Sequence, residues 1–274
     1  MDRLQFCAWL LAGPVFAAQP ASGYAQASPS ADKMVAASAV DVAGRLRMLS
    51  QRMVKAYLML GQGIAVDEAR IILRGSIDQF ESQLVALQAF QPTAAVQSAL
   101  VKLHGAWKVC KALLTAVPSQ AGGVEIYDAS ETLQQRAHGA TLAYEQVTGA
   151  PIDHLVSIAG RQRMLSQRMA KFYFYRTWGL FDAPADMELH LSRAHFTAVL
   201  VQIESSQLAT AQVKAGVARI RREWEPYQLS LFASNVPATM RRDALRVAVL
   251  SERVLVVTEE LVGQLVAQAQ AAPR

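Results

Sequence analysis

A fifteen-residue run that occurs twice constrains this chain more than any other feature. Ala43-Gly-Arg-Leu-Arg-Met-Leu-Ser-Gln-Arg-Met-Val-Lys-Ala-Tyr57 returns as Ala159-Gly-Arg-Gln-Arg-Met-Leu-Ser-Gln-Arg-Met-Ala-Lys-Phe-Tyr173, identical at twelve of fifteen positions and displaced by 116 residues. Phe80 and Leu84 recur as Phe196 and Leu200 at the same displacement, and Trp107 recurs as Trp224 at nearly the same one. The chain is therefore read as one module used twice, and folds without that internal repetition are disfavoured.

Within each module the apolar spacing is helical, and strand-like alternation is scarce. It predicts helices over 36–60, 66–90, 94–117, 123–148, 151–179, 185–209, 211–232 and 237–268. Breakers mark the joints: Gly61 and Gly63 follow the first helix, Pro92 the second, Gly122 and Gly123 the third, and Gly149 the fourth. Pro151, Pro184 and Pro237 suit first turns, whereas Pro226 lies inside the seventh helix and should kink or split it. Eight such helices with short connections make an all-α chain of two tandem antiparallel four-helix bundles, over 36–149 and 150–268, with a tail over 269–274.

With 52% apolar and 18% charged residues in 274, the chain is not disordered, and it is long enough for each module to bury a core. Residues 1–27 stand apart from that core. Arg3 precedes a short apolar stretch from Phe6 to Ala18 and then Ala25-Gln26-Ala27, the order of a secretory signal peptide cleaved after Ala27, with a flexible N-terminus over 28–35. The expected location is periplasmic; a retained N-terminal anchor is the competing reading. Cleavage leaves Cys110 as the sole cysteine, so no internal disulfide is expected, and its apolar surroundings predict a buried small residue. The net charge of +5 suits small anions or an acidic partner better than nucleic acid.

On a helix, Leu46, Leu49, Met53, Ala56 and Tyr57 form a core stripe, and Gly44, Met48, Gln51 and Lys55 take the opposite side, flanked by Arg47 and Arg52. The second copy repeats that side as Gly160, Met164, Gln167 and Lys171, flanked by Arg163 and Arg168. A polar helix face is ordinarily just solvated. A merely solvated face has no reason to stay intact while the rest of a duplicated module drifts. The sharper reading is a face that docks on its own copy, with cations placed to share an anion. A guanidinium offers a planar fork of donors that matches an oxyanion, and it stays charged. Facing Arg47 and Arg163 would repel unless something negative lay between them, and Gly44 and Gly160 allow close approach or leave room for a ligand. The second face comes either from the same chain, as a pseudo-dimer of the first and fifth helices, or from a homodimer.

The run Ala-Gly-Arg-x-Arg-Met-Leu-Ser-Gln-Arg-Met-x-Lys resembles the P-box segment of the PilJ-type domain. That is the N-terminal domain of type IV pili methyl-accepting chemotaxis transducers, related to the periplasmic nitrate/nitrite sensor domain of NarX-type histidine kinases. The resemblance covers about residues 36 to 268 in two copies. It implies four-helix bundles and, from the nitrate sensors, an oxyanion held between two first helices. By motif position it implies Arg47 and Arg163 as the ligand arginines, Gly44 and Gly160 as the close-approach glycines, and Arg52 and Arg168 as the second motif arginines. Gln51, Lys55, Gln167 and Lys171 are secondary candidates on the same face. Leu49-Ser50-Gln51 and Leu165-Ser166-Gln167 look closer to the PilJ type than to the nitrate-sensor type. Full receptors of these families also carry transmembrane helices, a HAMP linker and a kinase or methyl-accepting region, so output is expected to pass through a separate membrane receptor or kinase.

The expected function is a non-enzymatic sensor or binding module for a small oxyanion, nitrate or nitrite first. The rival is a structural or interaction module of pilus or chemotaxis machinery that docks an acidic protein surface. No nucleophile and base arrangement or phosphate loop points to an enzyme. His104, His138, His154, His190 and His195 lack metal-ligand spacing, so neither metal nor cofactor is expected. Glu259 and Glu260 read as solvated helix surface, as do Arg221-Arg222 and Arg241-Arg242, while Trp107, Trp178 and Trp224 read as core or bundle-end residues.

Overall fold

A computed structural model describes residues 36–271. The signal segment expected over 1–27 and the stretch over 28–35 lie outside the described residues. Eight helices fill the described range, without a strand among those residues: α1 (Ala36–Gly61), α2 (Val66–Gln88), α3 (Ala94–Leu114), α4 (Gln120–Thr148), α5 (Pro151–Thr177), α6 (Asp182–Ser205), α7 (Ala211–Leu231) and α8 (Pro237–Ala271). The fold is all-α, and the helix ends fall close to those the periodicity predicts.

Local chemistry explains the starts. Thr93, Ser119 and Thr210 each accept a hydrogen bond from the backbone N–H three residues on, at Val96, Gly122 and Val213, which satisfies a donor the helix cannot use. Pro151 and Pro237 open α5 and α8, where a missing N–H is harmless. Two expectations are corrected. Gly122 and Gly123 lie in the first turn of α4 rather than closing α3, because the Ser119 cap sets the start of α4 ahead of them. α7 runs unsplit through Pro226, which forfeits one backbone bond while buried Trp224 and Tyr227 anchor the turns on either side.

The repeat extends into the turns. Gly63 and Gly179 take left-handed φ values of 69° and 72°, and two residues later Ala65 and Phe181 do the same at 44° and 53°. A non-glycine residue there costs about 1–2 kcal/mol. That both copies hold it makes the strained entry to α2 and α6 a property of the module.

In each module one helix is central. α1 lies against α2 and α4, with α3 on α4; α5 lies against α6 and α8, with α7 on α8. The remaining side of each bundle is spanned by rings. Phe80 on α2 stacks on Trp107 of α3 with centroids 4.2 Å apart, and Phe196 on α6 meets Trp224 of α7 at 4.5 Å. Burying each phenylalanine contributes about 1.5–3 kcal/mol relative to exposing it. α1 and α5 also pack on each other, and a single core runs through both bundles. Polar contacts from α1 and the residue that follows it to α5 keep one order along both: Arg47 with Ser157, Lys55 with Gln167, and then Gln62 with Phe174 and Thr177. The helices therefore run parallel and close to the register of the sequence repeat.

Candidate functional site

α1 and α5 are enclosed on every side, which puts the polar face of the repeated run indoors. Arg47 is 1% exposed, and Arg163, Lys55, Lys171, Gln51 and Gln167 are fully buried. The face meets its own copy within one chain and is not solvated. With these side chains inside, it offers an acidic protein surface only the partly exposed Arg52 and Arg168, both already ion-paired. A buried ion costs several kcal/mol unless it is paired and hydrogen-bonded, so the partners of these cations decide what the interface can do.

Gly44 and Gly160 make the centre possible. A Cβ on Gly44 would lie 3.1 Å from Arg47 Nη2 and 3.5 Å from Arg163 Nη2. One on Gly160 would lie 3.1 Å from Arg163 Nη2 and 3.3 Å from Arg47 Nη2. The two guanidinium groups thus sit side by side in space that larger residues would crowd.

Their surroundings differ. Arg163 is ringed by acids: Nη2 lies 2.7 Å from Asp41 Oδ1, and Nη1 donates to Glu259 Oε2 at 2.9 Å. Arg45 holds the same two carboxylates at 3.2 and 3.1 Å. Burial alone would lower the Arg163 pKa, but Asp41 and Glu259 raise it above its ordinary value. Glu259, expected at the solvated surface, is instead a partner of this buried pair because α8 packs its face on α5.

Arg47 has no carboxylate partner among the described residues. Its Nη2 donates to the Ser157 carbonyl at 2.9 Å, its Nη1 lies 3.3 Å from His138 Nδ1, and its Nε is unpartnered. Burial, then Arg161 and Arg163, pull Arg47 down to about 9, so it stays charged at neutral pH. Burial, then Arg47 and Arg161, press His138 down to about 4. His138 is therefore neutral at pH 7, and with Arg47 donating to Nδ1 its proton is assigned to Nε2.

Two helical turns along, the charges are closed off. Lys55 Nζ donates to Gln167 Oε1 at 2.7 Å and Ser251 Oγ at 3.0 Å, and it pairs with Glu252, which also holds Arg52. Lys171 and Arg168 share Glu131, and Arg168 reaches Glu188 at 2.9 Å and the Gln51 side chain at 3.4 Å. Burial would raise the Glu131 and Glu252 carboxyls, yet the cations outweigh it and hold both at about 2. The structure thus brings Gly44, Arg47, Gly160 and Arg163 to one centre. It places Arg52, Arg168, Gln51, Lys55, Gln167 and Lys171 in a separate layer that carries its own acids.

Asp41, Ser157, Glu131 and Glu252 escaped the sequence reading, and His138 and Glu259 were read there only as a histidine without metal-ligand spacing and as solvated helix surface. The signal for the glutamates is faint: Ser130-Glu131 and Ser251-Glu252 recur 121 residues apart, a two-residue match with nothing around it to draw notice. Asp41 and Ser157 lie two residues ahead of the repeated run at its own displacement of 116, and there the difference between copies was readable.

Among the described residues, no group of His, Cys, Asp and Glu is arranged to hold a metal ion, and no helix is long and apolar enough to cross a membrane. The family model of the type IV pili methyl-accepting chemotaxis transducer N-terminal domain, PilJ, matches residues 31–132 and again 153–255. Searches among curated proteins and among solved structures returned no match. The two matched stretches take in most of the chain, one in each bundle, and the chain belongs to the PilJ family as two tandem copies.

Proposed function

We propose that this PilJ-family chain is a non-enzymatic periplasmic sensor of a small oxyanion, nitrate or nitrite first, which hands its signal to a separate membrane receptor or kinase. One observation carries the reading: two buried guanidinium groups lie side by side between Gly44 and Gly160, and one of them has no carboxylate partner among the described residues. Like charges at this depth repel strongly, and a planar oxyanion both offsets the repulsion and fits the fork of donors. Since α1 and α5 belong to one chain, one molecule supplies both halves of the site. The periplasmic location rests on the signal-like order of residues 1–27.

The test is thermal unfolding of the purified protein, followed through tryptophan, in nitrate, nitrite and small carboxylates at matched ionic strength. A ligand that binds only the native state stabilises it by about 2.7 kcal/mol at one hundred times its Kd. The expected result is a saturable rise in Tm specific to one anion and abolished by Arg47→Ala. No shift at millimolar concentrations overturns the reading. A non-saturating rise that salt suppresses also counts against it, being the mark of exposed charge.

A further inference from the structure

The two halves of the arginine centre are related by the repeat, yet they are not equivalent in charge. Arg45 and Arg161, Arg47 and Arg163, and Asp41 and Ser157 are each 116 residues apart. On the helices that cover them the displacement is 121: Glu131 and Glu252 each take a lysine and an arginine of the repeated run, and the Tyr57 and Tyr173 hydroxyls meet the backbone of Ser119 and Met240. By that displacement His138 stands where Glu259 stands. The contacts agree. Arg163 meets the Asp41 carbonyl and Glu259, while Arg47 meets the Ser157 carbonyl and His138.

Resting on the anion-sensing reading, we infer that one half-site has been closed from within and the other kept open: a single monovalent oxyanion binds against Arg47, Arg161 and His138, while Asp41 and Glu259 permanently fill the matching place beside Arg163 and Arg45. In the closed half two arginines face two carboxylates, and charge balances. In the open half Asp41 is replaced by Ser157 and Glu259 by neutral His138. Arg161 makes no ion pair or hydrogen bond among the described residues, and its charge lowers both Arg47 and His138. Two acids act on Arg47: Glu145 of α4, which is bonded to His154 at 2.5 Å, and Asp41, which is already paired with Arg45 and Arg163. Counting Glu145 against the two arginines leaves one positive charge, the complement of a monoanion. His138 and Arg161 are half-buried where Arg47 is buried, so this half of the centre borders solvent. With its proton on Nε2, His138 adds a neutral donor to two charged ones.

Isothermal titration of the purified protein with nitrate, nitrite and formate in turn tests this. The wild type is expected to take up one anion per chain. The His138→Glu/Ser157→Asp variant copies the closed half into the open one; it is expected to lose affinity about 100-fold or more and to melt higher than wild type in anion-free buffer. The mirror variant, Asp41→Ser/Glu259→His, is expected to take up two anions per chain. If the wild type binds two anions, or if the His138→Glu/Ser157→Asp variant binds as tightly as wild type, the inference falls while anion sensing stands. A wild type that binds no anion overturns both.

Discussion

Arg47 and Arg163 have the same place in the repeat and the same burial, and they differ only in what surrounds them. Removing Arg163 leaves Asp41 and Glu259 short of a cation in a partly desolvated place, so Arg163→Met is expected to cost about 3 kcal/mol, near the low end for breaking a buried pair because Arg45 remains. Removing Arg47 deletes a buried ion that no carboxylate pairs among the described residues, together with its hydrogen bond to Ser157. Arg47→Met is expected to stay within about 1 kcal/mol of wild type, or to exceed it, in anion-free buffer. Urea unfolding of the two variants decides, and equal losses would sink the contrast. The repeated run pointed to both arginines. It could not show which one is neutralised, because Glu259 arrives from another helix and His138 from a third.

At the scale of elements, the far end of the α1 and α5 pair is closed by Trp178, whose ring lies over Gly61. A Cβ there would be 2.0 Å from the indole. Glycine to alanine in a helix normally gains about 1 kcal/mol, but overpacking costs about 1–3 kcal/mol, and at this separation the ring has to move. Gly61→Ala is therefore expected to lower Tm by several degrees and to alter the tryptophan emission. An unchanged or higher Tm would mean that the ring is free to swing away. The helices themselves were legible because period and breakers are local: Pro151 and Pro237 announce starts in the chain itself, whereas the caps at Thr93, Ser119 and Thr210 went unread, and the one at Ser119 moves the start of α4. The unsplit α7 was not legible, since the packing of Trp224 and Tyr227 outweighs the local cost of Pro226.

At the scale of the whole molecule, the carboxylates tie one module to the other. Glu131 of α4 holds cations of α5, and Glu252 of α8 holds cations of α1. Both carboxyls lie at about 2 in the folded protein, below their ordinary 4.5, so between those values the unfolded chain binds more protons than the native one. Their stabilisation is complete above the ordinary value and is lost as pH falls toward the folded one. The urea midpoint is expected to be level from pH 7 to about 5 and to drop steeply between about 4.5 and 2. Glu131→Gln/Glu252→Gln should start lower and drop less, and a drop as steep as that of wild type would move the acid sensitivity elsewhere.

Helical period, breakers and a fifteen-residue repeat are properties of neighbours in the chain, and they determined an all-α molecule of two like modules with the arginines of the repeated run singled out. The tertiary structure alone decided that α1 and α5 meet in one chain, that their polar face is interior, and that Arg163 finds Asp41 and Glu259 where Arg47 finds Ser157 and His138. Those pairings join residues far apart in sequence, and the energy of a buried charge depends on what packing brings within a few ångströms, which no spacing along the chain encodes.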